Sequence, residues 1–218
     1  MKVNGDKPLE RKVLRYEIKK ILTEAILNGD IGPGERIIET RIAKDLQVSQ
    51  APVREAIREL EHMGLVETQP YKGAFVKIIK KEEVFEAYKL RILIESYAAE
   101  IVGGKINPDL LAEFATLISR MKQYGADNNR TEFIELDISF HELIIKSTES
   151  TLLYRIWSII NMAHLPYLTF TKSTMSFSSL VLQHERIYEA FKECNPEKAA
   201  KAVKDHIEEL GEKITDHF

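Results

Sequence analysis

The sequence predicts a mainly α-helical protein with two parts: three helices with a short β-hairpin at the N-terminal end, and then an all-helical antiparallel bundle. Three observations support this prediction. Apolar residues recur at helical spacing through most of the 218 residues. Short strand-like runs occur only around a Pro-Tyr-Lys-Gly turn at residues 70–73. Capping residues, glycine and proline interrupt the later helical pattern at the short intervals that are typical of helix bundles.

Length and composition restrict the class of protein. At about 150 residues per domain, the chain is expected to form one or two domains. Its 44% hydrophobic and 30% charged residues argue against disorder. The single cysteine, Cys194, excludes an internal disulfide framework and any zinc module built from several cysteines. No apolar run reaches the roughly 18–20 residues that span a bilayer, and the N-terminus lacks a signal-peptide core. We therefore expect a soluble, cytoplasmic protein with no membrane partner.

Charge is distributed unevenly along the chain. The formal net charge is −3, but residues 1–80 contain 15 basic and 12 acidic side chains, whereas the remainder contains 16 and 22. A polyanion would be attracted only to the front part. The two parts, taken as residues 1–79 and 80–218, are therefore expected to have different roles.

The front part begins with two predicted helices. The first covers about Leu9 to Leu27 and ends at Asn28-Gly29, which tolerate left-handed backbone angles. Its apolar stripe is predicted to contain Val13, Ile18, Ile21, Leu22, Ala25 and Ile26. After a Gly32-Pro33-Gly34 turn, a second helix is predicted from Glu39 to Leu46. It should bury Ile42, Ala43 and Leu46.

A third helix and a hairpin complete the front part. The helix begins at Ser49, a favourable N-cap, accommodates Pro52 in its first turn and runs to Met63. Two strands, Leu65 to Gln69 and Ala74 to Lys77, then flank the turn. This order of elements is the outline of a winged helix-turn-helix.

The back part is predicted to contain helices alone. They are expected at about residues 82–102, 108–124, 130–147, 151–162, 179–193 and 196–216. Asn107-Pro108, Ser150 and Asn195-Pro196 mark three of the starts. The stretch from Thr169 to Ser179 is rich in serine and threonine and is predicted to be a loop.

The third helix is a candidate DNA reader. In a helix-turn-helix, the N-terminal residues of the second helix of the motif face base edges in the major groove. These residues are Ser49, Gln50, Ala51 and, one turn later, Arg54. Glutamine can pair with adenine, arginine with guanine, and an alanine methyl group can contact the thymine methyl group. Lys72 and Gly73 in the hairpin turn suit a wing that lies along the phosphate backbone. The pattern alone leaves open that Arg54 only pairs with acidic neighbours such as Glu55 or Glu61.

Polar residues interrupt the apolar stripes of three bundle helices. Asp137 and His141, four residues apart, share a stripe with Phe133, Phe140 and Ile144. His184 and His206 interrupt two other stripes. A single divalent ion would satisfy all four side chains, and imidazole with carboxylate suits Zn, Ni, Mn or Fe. For each histidine taken alone, a hydrogen-bonded core residue is the better explanation. His62 and His217 are expected at the surface, and His164 is expected beside a cavity.

The front motifs resemble a known family. The run from Val48 to Val66, VSQAPVREAIRELEHMGLV, is similar to the recognition-helix signature of GntR-type bacterial transcription regulators. The run Gly29 to Ile37 resembles the turn between the first two helices of that family. The resemblance implies that Arg54 reads a base and that Ser49 and Ala51 lie at the DNA. Position 50 is commonly basic in relatives, so Gln50 leaves the base pair that it faces undefined.

The bundle resembles the FCD effector domain of the FadR subfamily. Asp137, His141, His184 and His206 stand at the four ligand positions of its metal-binding members. The resemblance implies a homodimer that binds an inverted repeat in double-stranded operator DNA, with a small carboxylic acid as effector near the metal. Arg91 and Glu95 also match the Arg-xxx-Glu pattern of the subfamily. Arg91 is therefore a candidate effector ligand, although an i,i+4 salt bridge explains the pair equally well.

The predicted function is therefore that of a DNA-binding transcription regulator, taken as a repressor, whose operator binding responds to a ligand. Two alternatives remain at this point. The metal could be purely structural, with no effector. A metal-dependent hydrolase is also possible because an ion with three histidines and one aspartate could activate water.

Overall fold

A computed structural model describes residues 7–78, 80–160 and 175–215. The chain divides into two compact units, Met1–Ile79 and Lys80–Phe218. Helices predominate and a single small sheet lies in the first unit of the described chain. The predicted mainly helical class, with a winged helix-turn-helix and a helical bundle, is confirmed.

The first unit consists of three helices and a three-stranded sheet. In chain order its elements are α1 (Lys7–Asn28), β1 (Arg36–Ile37), α2 (Glu39–Asp45), α3 (Gln50–His62), β2 (Val66–Gln69) and β3 (Gly73–Val76). The strands are antiparallel in the order β1-β3-β2, and Val66 pairs with Val76 in the β2–β3 hairpin. The sequence predicted the hairpin but not β1. Two residues are too few to show the alternation that marks a strand.

The core of this unit forms where α3 packs on α1. Val53, Ile57 and Leu60 of α3 are buried, as their spacing predicts. The predicted stripe of α1 is partly wrong. Ile18 and Leu22 are buried, whereas Val13 and Ile21 are 62% and 45% exposed. Since α1 packs mainly against one helix, it buries a narrower stripe than the periodicity suggested.

The second unit is helical throughout its described residues. Its helices are α4 (Lys81–Gly103), α5 (Pro108–Ala126), α6 (Arg130–Ser147), α7 (Thr151–Ile160), α8 (Phe177–Lys192) and α9 (Pro196–Thr215). The prediction of a loop through Ser179 is wrong at its end, because the Ser176 side chain accepts a hydrogen bond from Ser179 N and caps α8. The rest of that predicted loop, residues 169–174, lies outside the described residues, as do residues 161 and 162 of the helix predicted over 151–162.

Capping and close packing fix the positions of these helices. Asn107 and Asn129 cap α5 and α6 by accepting hydrogen bonds from Leu110 N and Glu132 N. Gly103 allows α4 to approach α9, since a Cβ there would lie 2.9 Å from Cβ of Ala199. No helix in the described ranges is long and apolar enough to cross a membrane.

Aromatic rings form the centre of the bundle beneath the polar cluster. Phe114 packs on Phe140 and Phe191, with ring centroids 4.9 and 5.1 Å apart. Phe140 in turn makes a T-shaped contact with the His184 ring, with the ring centroids 4.7 Å apart. The histidines therefore lie within a tightly packed apolar core, where a polar group without a partner would be costly.

Candidate nucleic-acid interface and candidate metal centre

The N-terminal end of α3 presents the predicted DNA-reading residues on one exposed face. Ser49, Gln50, Ala51 and Arg54 are all exposed, whereas Pro52 and Val53 between them are buried. The apolar side of α3 is thus used for packing, and the opposite side carries a hydroxyl, an amide, a methyl group and a guanidinium. This set offers the donors, acceptor and methyl group that major-groove base edges recognise.

Arg54 has an ion-pair partner that the sequence pattern did not identify. Its Nε donates a hydrogen bond to Glu39 Oε2 at 3.0 Å, and not to the neighbouring acids of α3. Glu39 is the first residue of α2 and is 15 positions away, so helical spacing could not reveal the pair. Both side chains remain partly exposed, at 53% for Arg54 and 31% for Glu39. The contact therefore constrains the arginine without burying it.

The hairpin turn places basic groups side by side. Lys72 is exposed, and Gly73 has a φ of +100°, a left-handed conformation that favours glycine. A Cβ at Gly73 would lie 3.4 Å from the Arg36 guanidinium. Strand β1 thus brings Arg36, which no sequence motif indicated, beside the predicted wing.

Asp137, His141, His184 and His206 converge in the buried centre of the bundle. One ligand atom from each, an oxygen or a ring nitrogen, lies within 4.8 Å of the other three. They come from α6, α8 and α9, and all four are buried. The structure therefore brings together the four residues that the sequence singled out. Of the other histidines, His62 is exposed, and His164 and His217 lie outside the described residues.

An oxygen atom lies within 2.8 Å of Nδ1 in each of the three histidine rings. His184 Nδ1 lies 2.8 Å from the Leu180 carbonyl oxygen, and His206 Nδ1 lies 2.8 Å from Gln183 Oε1. His141 Nδ1 lies 2.6 Å from Glu95 Oε2. Oxygens of carbonyls and carboxylates accept, so these contacts favour a proton on Nδ1 and a lone pair on Nε2 of each neutral ring.

The Nε2 atoms then face one another and a carboxylate. His141 Nε2 lies 3.2 Å from His206 Nε2, and His184 Nε2 lies 3.2 Å from Asp137 Oδ1. Lone pairs at these distances repel unless a proton or a cation lies between them. A divalent cation would remove this repulsion at both contacts, because histidine nitrogen and carboxylate oxygen are its usual ligands. The four residues therefore fit a metal ion.

The protonation states also suit a metal. Burial, together with the nearby charges of His184, His141 and Arg91, holds the pKa of His206 well below its ordinary value. Burial raises the pKa of Asp137, but the contact with His184 and the charges of His141 and Arg91 outweigh this effect and lower it. A neutral imidazole and an ionised carboxylate are the forms that bind metal.

Glu95 is a site residue that the sequence indicated only through its spacing from Arg91. It is completely buried on α4, where its Oε1 accepts hydrogen bonds from Arg91 Nε at 2.8 Å and Trp157 Nε1 at 3.0 Å. The i,i+4 salt bridge predicted for Arg91 is therefore present, and it is buried beside the histidine cluster. The Arg-xxx-Glu spacing pointed to the salt bridge. It gave no indication of the contacts with His141 and Trp157, which come from other helices.

Comparison with known proteins gives the same organisation. Residues 14–76 match the family model of bacterial regulatory proteins, gntR family, and residues 86–209 match the model of the FCD domain. The sequence is 31% identical, over 93% of this chain and 90% of the relative, to the uncharacterised HTH-type transcriptional regulator YdhC of Bacillus subtilis. It is 25% identical, over 92% and 88% of the two chains, to a probable D-xylose utilization operon transcriptional repressor of Paenarthrobacter nicotinovorans.

Solved structures share the fold. A GntR regulator from Rhodococcus sp. RHA1 superposes with a TM-score of 0.70 at 22% identity, covering 94% of this chain and 98% of that chain. McbR/YncC of E. coli superposes with a TM-score of 0.66 at 19% identity, covering 90% and 94% of the two chains.

Proposed function

Because the chain belongs to the gntR family of bacterial regulatory proteins and has an FCD domain behind its DNA-binding domain, we propose that it is a homodimeric repressor of the FadR subfamily. It binds an inverted repeat in operator DNA, and a small carboxylic acid bound near a divalent metal modulates this binding. The family is one of transcription regulators and not of enzymes, which sets the hydrolase alternative aside. Repressors also occur among the named relatives.

The exposed face of α3 supports the DNA-reading half of the proposal. We assign base contacts to Ser49, Gln50, Ala51 and Arg54, and phosphate contacts to Lys72 and the backbone at Gly73. One such helix contacts only a few base pairs, too few for useful specificity within a genome. Two copies related by a two-fold axis would read an inverted repeat, and this argument favours the homodimer.

The charge of the buried centre carries the sensor half of the proposal. Arg91, Glu95 and Asp137 are the charged side chains among the buried residues described, with the histidines neutral, and together they have a charge of −1. A divalent ion on Asp137 and the three histidines would change this to +1. A monoanionic ligand would then neutralise the site, which favours an organic acid as the effector. Arg91 lies close enough to affect Asp137 and His206 electrostatically, and we assign it a contact to that acid.

The ligand atoms indicate a group of divalent metals and not a single element. Three nitrogens and one oxygen suit Zn²⁺, Ni²⁺, Mn²⁺ or Fe²⁺. An ion that takes five or six ligands would keep positions for water or an effector carboxylate. A strictly four-coordinate ion would instead be structural, and that is the remaining alternative to a sensor.

The experiment is operator selection followed by a binding assay. Random duplexes selected by the purified protein should yield an inverted repeat. Affinity for that repeat is then measured with and without a panel of organic acids, in protein loaded with Zn²⁺, Ni²⁺ or Mn²⁺ and in chelated protein. We expect at least one acid to change operator affinity, and to do so less in the chelated protein. If no acid changes the operator affinity, the result would favour a structural metal. Failure to select any inverted repeat would overturn the proposal.

A further inference from the structure

A buried carboxylate outside the four candidate ligands connects three helices at the metal centre. We propose that Glu95 is the positioning residue of this centre: it holds His141 in the tautomer that directs Nε2 to the metal, and it couples that ligand to Trp157. The inference rests on the proposed metal centre, but it concerns a residue that would not touch the ion.

The Glu95 carboxylate contacts three groups that can donate a hydrogen bond. Oε1 accepts from Arg91 Nε at 2.8 Å and from Trp157 Nε1 at 3.0 Å. Oε2 lies 2.6 Å from His141 Nδ1. Arginine and tryptophan nitrogens cannot accept, so the carboxylate satisfies donors on its own helix α4 and on α7, and its second oxygen remains for α6.

The contact at Oε2 determines which nitrogen of His141 is available to a metal. A neutral imidazole has one ring proton, and an adjacent carboxylate oxygen holds it on Nδ1. Nε2 then has the lone pair, and it is the nitrogen that lies 3.2 Å from His206 Nε2 inside the cluster. A carboxylate partner also increases the basicity of the ring and therefore its strength as a ligand.

His141 differs in this respect from the other two histidines. The Nδ1 partner of His184 is a backbone carbonyl on its own helix, and that of His206 is the Gln183 amide. Both of these partners are uncharged. Among the described Nδ1 partners, Glu95 is the charged one, and its carboxylate extends the contact to α7 through Trp157 Nε1. A shift of the His141 ring on metal binding should therefore alter the environment of Trp157 on α7 through the Glu95 carboxylate.

Glutamine at position 95 is the discriminating substitution. It preserves size and shape but has one acceptor oxygen and one amide NH₂ group. If the oxygen stays with Arg91 and Trp157, the NH₂ group faces His141 Nδ1 and favours the opposite tautomer, with the proton on Nε2. If the amide turns around, its NH₂ group faces the two other donors. Either arrangement weakens the site without removing a metal ligand.

The first test measures Zn²⁺ affinity by competition with a chelating dye. We expect Glu95→Gln to weaken Zn²⁺ binding by roughly 10–100-fold, the range typical of lost outer-shell partners. Glu100→Gln changes an exposed carboxylate on the same helix and should leave the affinity unchanged. Unchanged affinity in a folded Glu95→Gln protein would overturn the proposal. His184→Ala shows separately whether the four-residue centre binds Zn²⁺ at all.

The second test does not depend on a variant that folds. Heteronuclear NMR of isotope-labelled histidine rings identifies the protonated nitrogen of His141 in the wild-type protein. We expect the proton on Nδ1 both without metal and with Zn²⁺, and on Nε2 in metal-free Glu95→Gln. A proton on Nε2 in the wild-type protein would contradict the role of Glu95, even if the protein binds no metal.

The third test uses Trp157, the single tryptophan of the chain. Under selective tryptophan excitation, Zn²⁺ should shift the emission of the wild-type protein and of Glu100→Gln. In Glu95→Gln at saturating Zn²⁺ the shift should be lost. A shift of the same size in Glu95→Gln would show that Trp157 responds by another route and would overturn the coupling.

Discussion

At the scale of single residues, Arg54 should affect specificity and not stability. We expect Arg54→Ala to weaken operator binding by roughly 1–3 kcal/mol for each half-site and to relax discrimination at one position of each half-site, because one bidentate base contact is lost in each. The ion pair of Arg54 with Glu39 is partly exposed, so its loss should change the free energy of unfolding by less than about 1 kcal/mol. Competition binding against single-base operator variants measures the first effect, and thermal unfolding measures the second. If Arg54→Ala keeps the base preference of the wild-type protein, α3 does not recognise bases through this residue.

His206 gives the metal-free protein a defined response to acid. Its folded-state pKa lies well below the value of about 6.5 in an unfolded chain. Below that pH the unfolded chain binds a proton at this histidine and the folded protein does not, so the free energy of unfolding falls with decreasing pH. The slope from one such group approaches about 1.4 kcal/mol per pH unit. The pKa values of Asp137 and Glu95 are lowered, so their contributions to the free energy of unfolding are lost only under more acidic conditions, below about pH 4.

Urea unfolding of chelated protein between about pH 7 and pH 5 measures this slope. His206→Gln should reduce it, whereas His62→Gln, at an exposed position of the other unit, should not. A slope that is the same in His206→Gln and the wild-type protein would mean that His206 is protonated in the folded state.

The sequence identified the four candidate ligands because each polar side chain interrupts an apolar stripe, and helical periodicity makes such interruptions visible. It could not identify their partners in the same way. Trp157 is 62 positions from Glu95, and Glu39 is 15 positions from Arg54. These contacts arise from packing between helices, and no local spacing encodes them.

At the scale of elements, Gly103 sets the approach of α4 to α9. In Gly103→Ala the new Cβ would lie 2.9 Å from Cβ of Ala199 and 3.1 Å from the Pro196 backbone. Alanine gains up to about 1 kcal/mol in helix propensity, but overpacking costs typically 1–3 kcal/mol. We expect a net loss of stability, measured as a lower melting temperature. Gly104→Ala is the matched control, because its Cβ would make an ordinary 3.5 Å contact. Equal stability of the two variants would mean that α9 moves away without cost.

The wing should contribute affinity without specificity. Lys72→Ala removes one exposed cation from each protomer, so in the proposed dimer it should weaken binding to all duplexes alike and reduce the slope of log affinity against log salt by about 1.8, which is about 0.9 for each contact. Filter binding or fluorescence anisotropy over a salt series measures the slope. Lys192→Ala, on an exposed lysine of the other unit, is the control. A Lys72→Ala effect confined to one operator sequence would indicate a base contact instead.

Element boundaries were predictable where a side chain or a glycine marks them. Asn107 and Asn129 cap α5 and α6, and the predicted starts of these helices agree with the structure. The start of α8 was predicted two residues late. Ser176, Ser178 and Ser179 lie within four positions, and each of them is a suitable N-cap. Strand β1 has no local signal, because its two residues become a strand by pairing with Phe75 and Ala74 of β3.

At the scale of the whole molecule, the proposed ion would connect α6, α8 and α9, and its removal should loosen the second unit alone. A ligand that binds only the folded state stabilises it by RT ln(1 + [L]/Kd), about 4 kcal/mol when free metal exceeds Kd a thousandfold. Chelation should therefore lower the melting temperature of the helical unit. Trp157 lies in that unit, so tryptophan emission reports its unfolding without a contribution from the DNA-binding unit.

His184→Ala should remove most of the metal-dependent shift and leave the DNA-binding unit folded, whereas His62→Ala should retain the shift, because His62 is exposed and outside the cluster. The comparison separates a metal effect from a general loss of histidine. If no divalent ion stabilises the wild-type protein and His184→Ala melts like it, the three histidines are hydrogen-bonded core residues and not metal ligands. The site would then have no charge of +1 with which to attract an acid, and Arg91 alone would have to provide the charge for the effector.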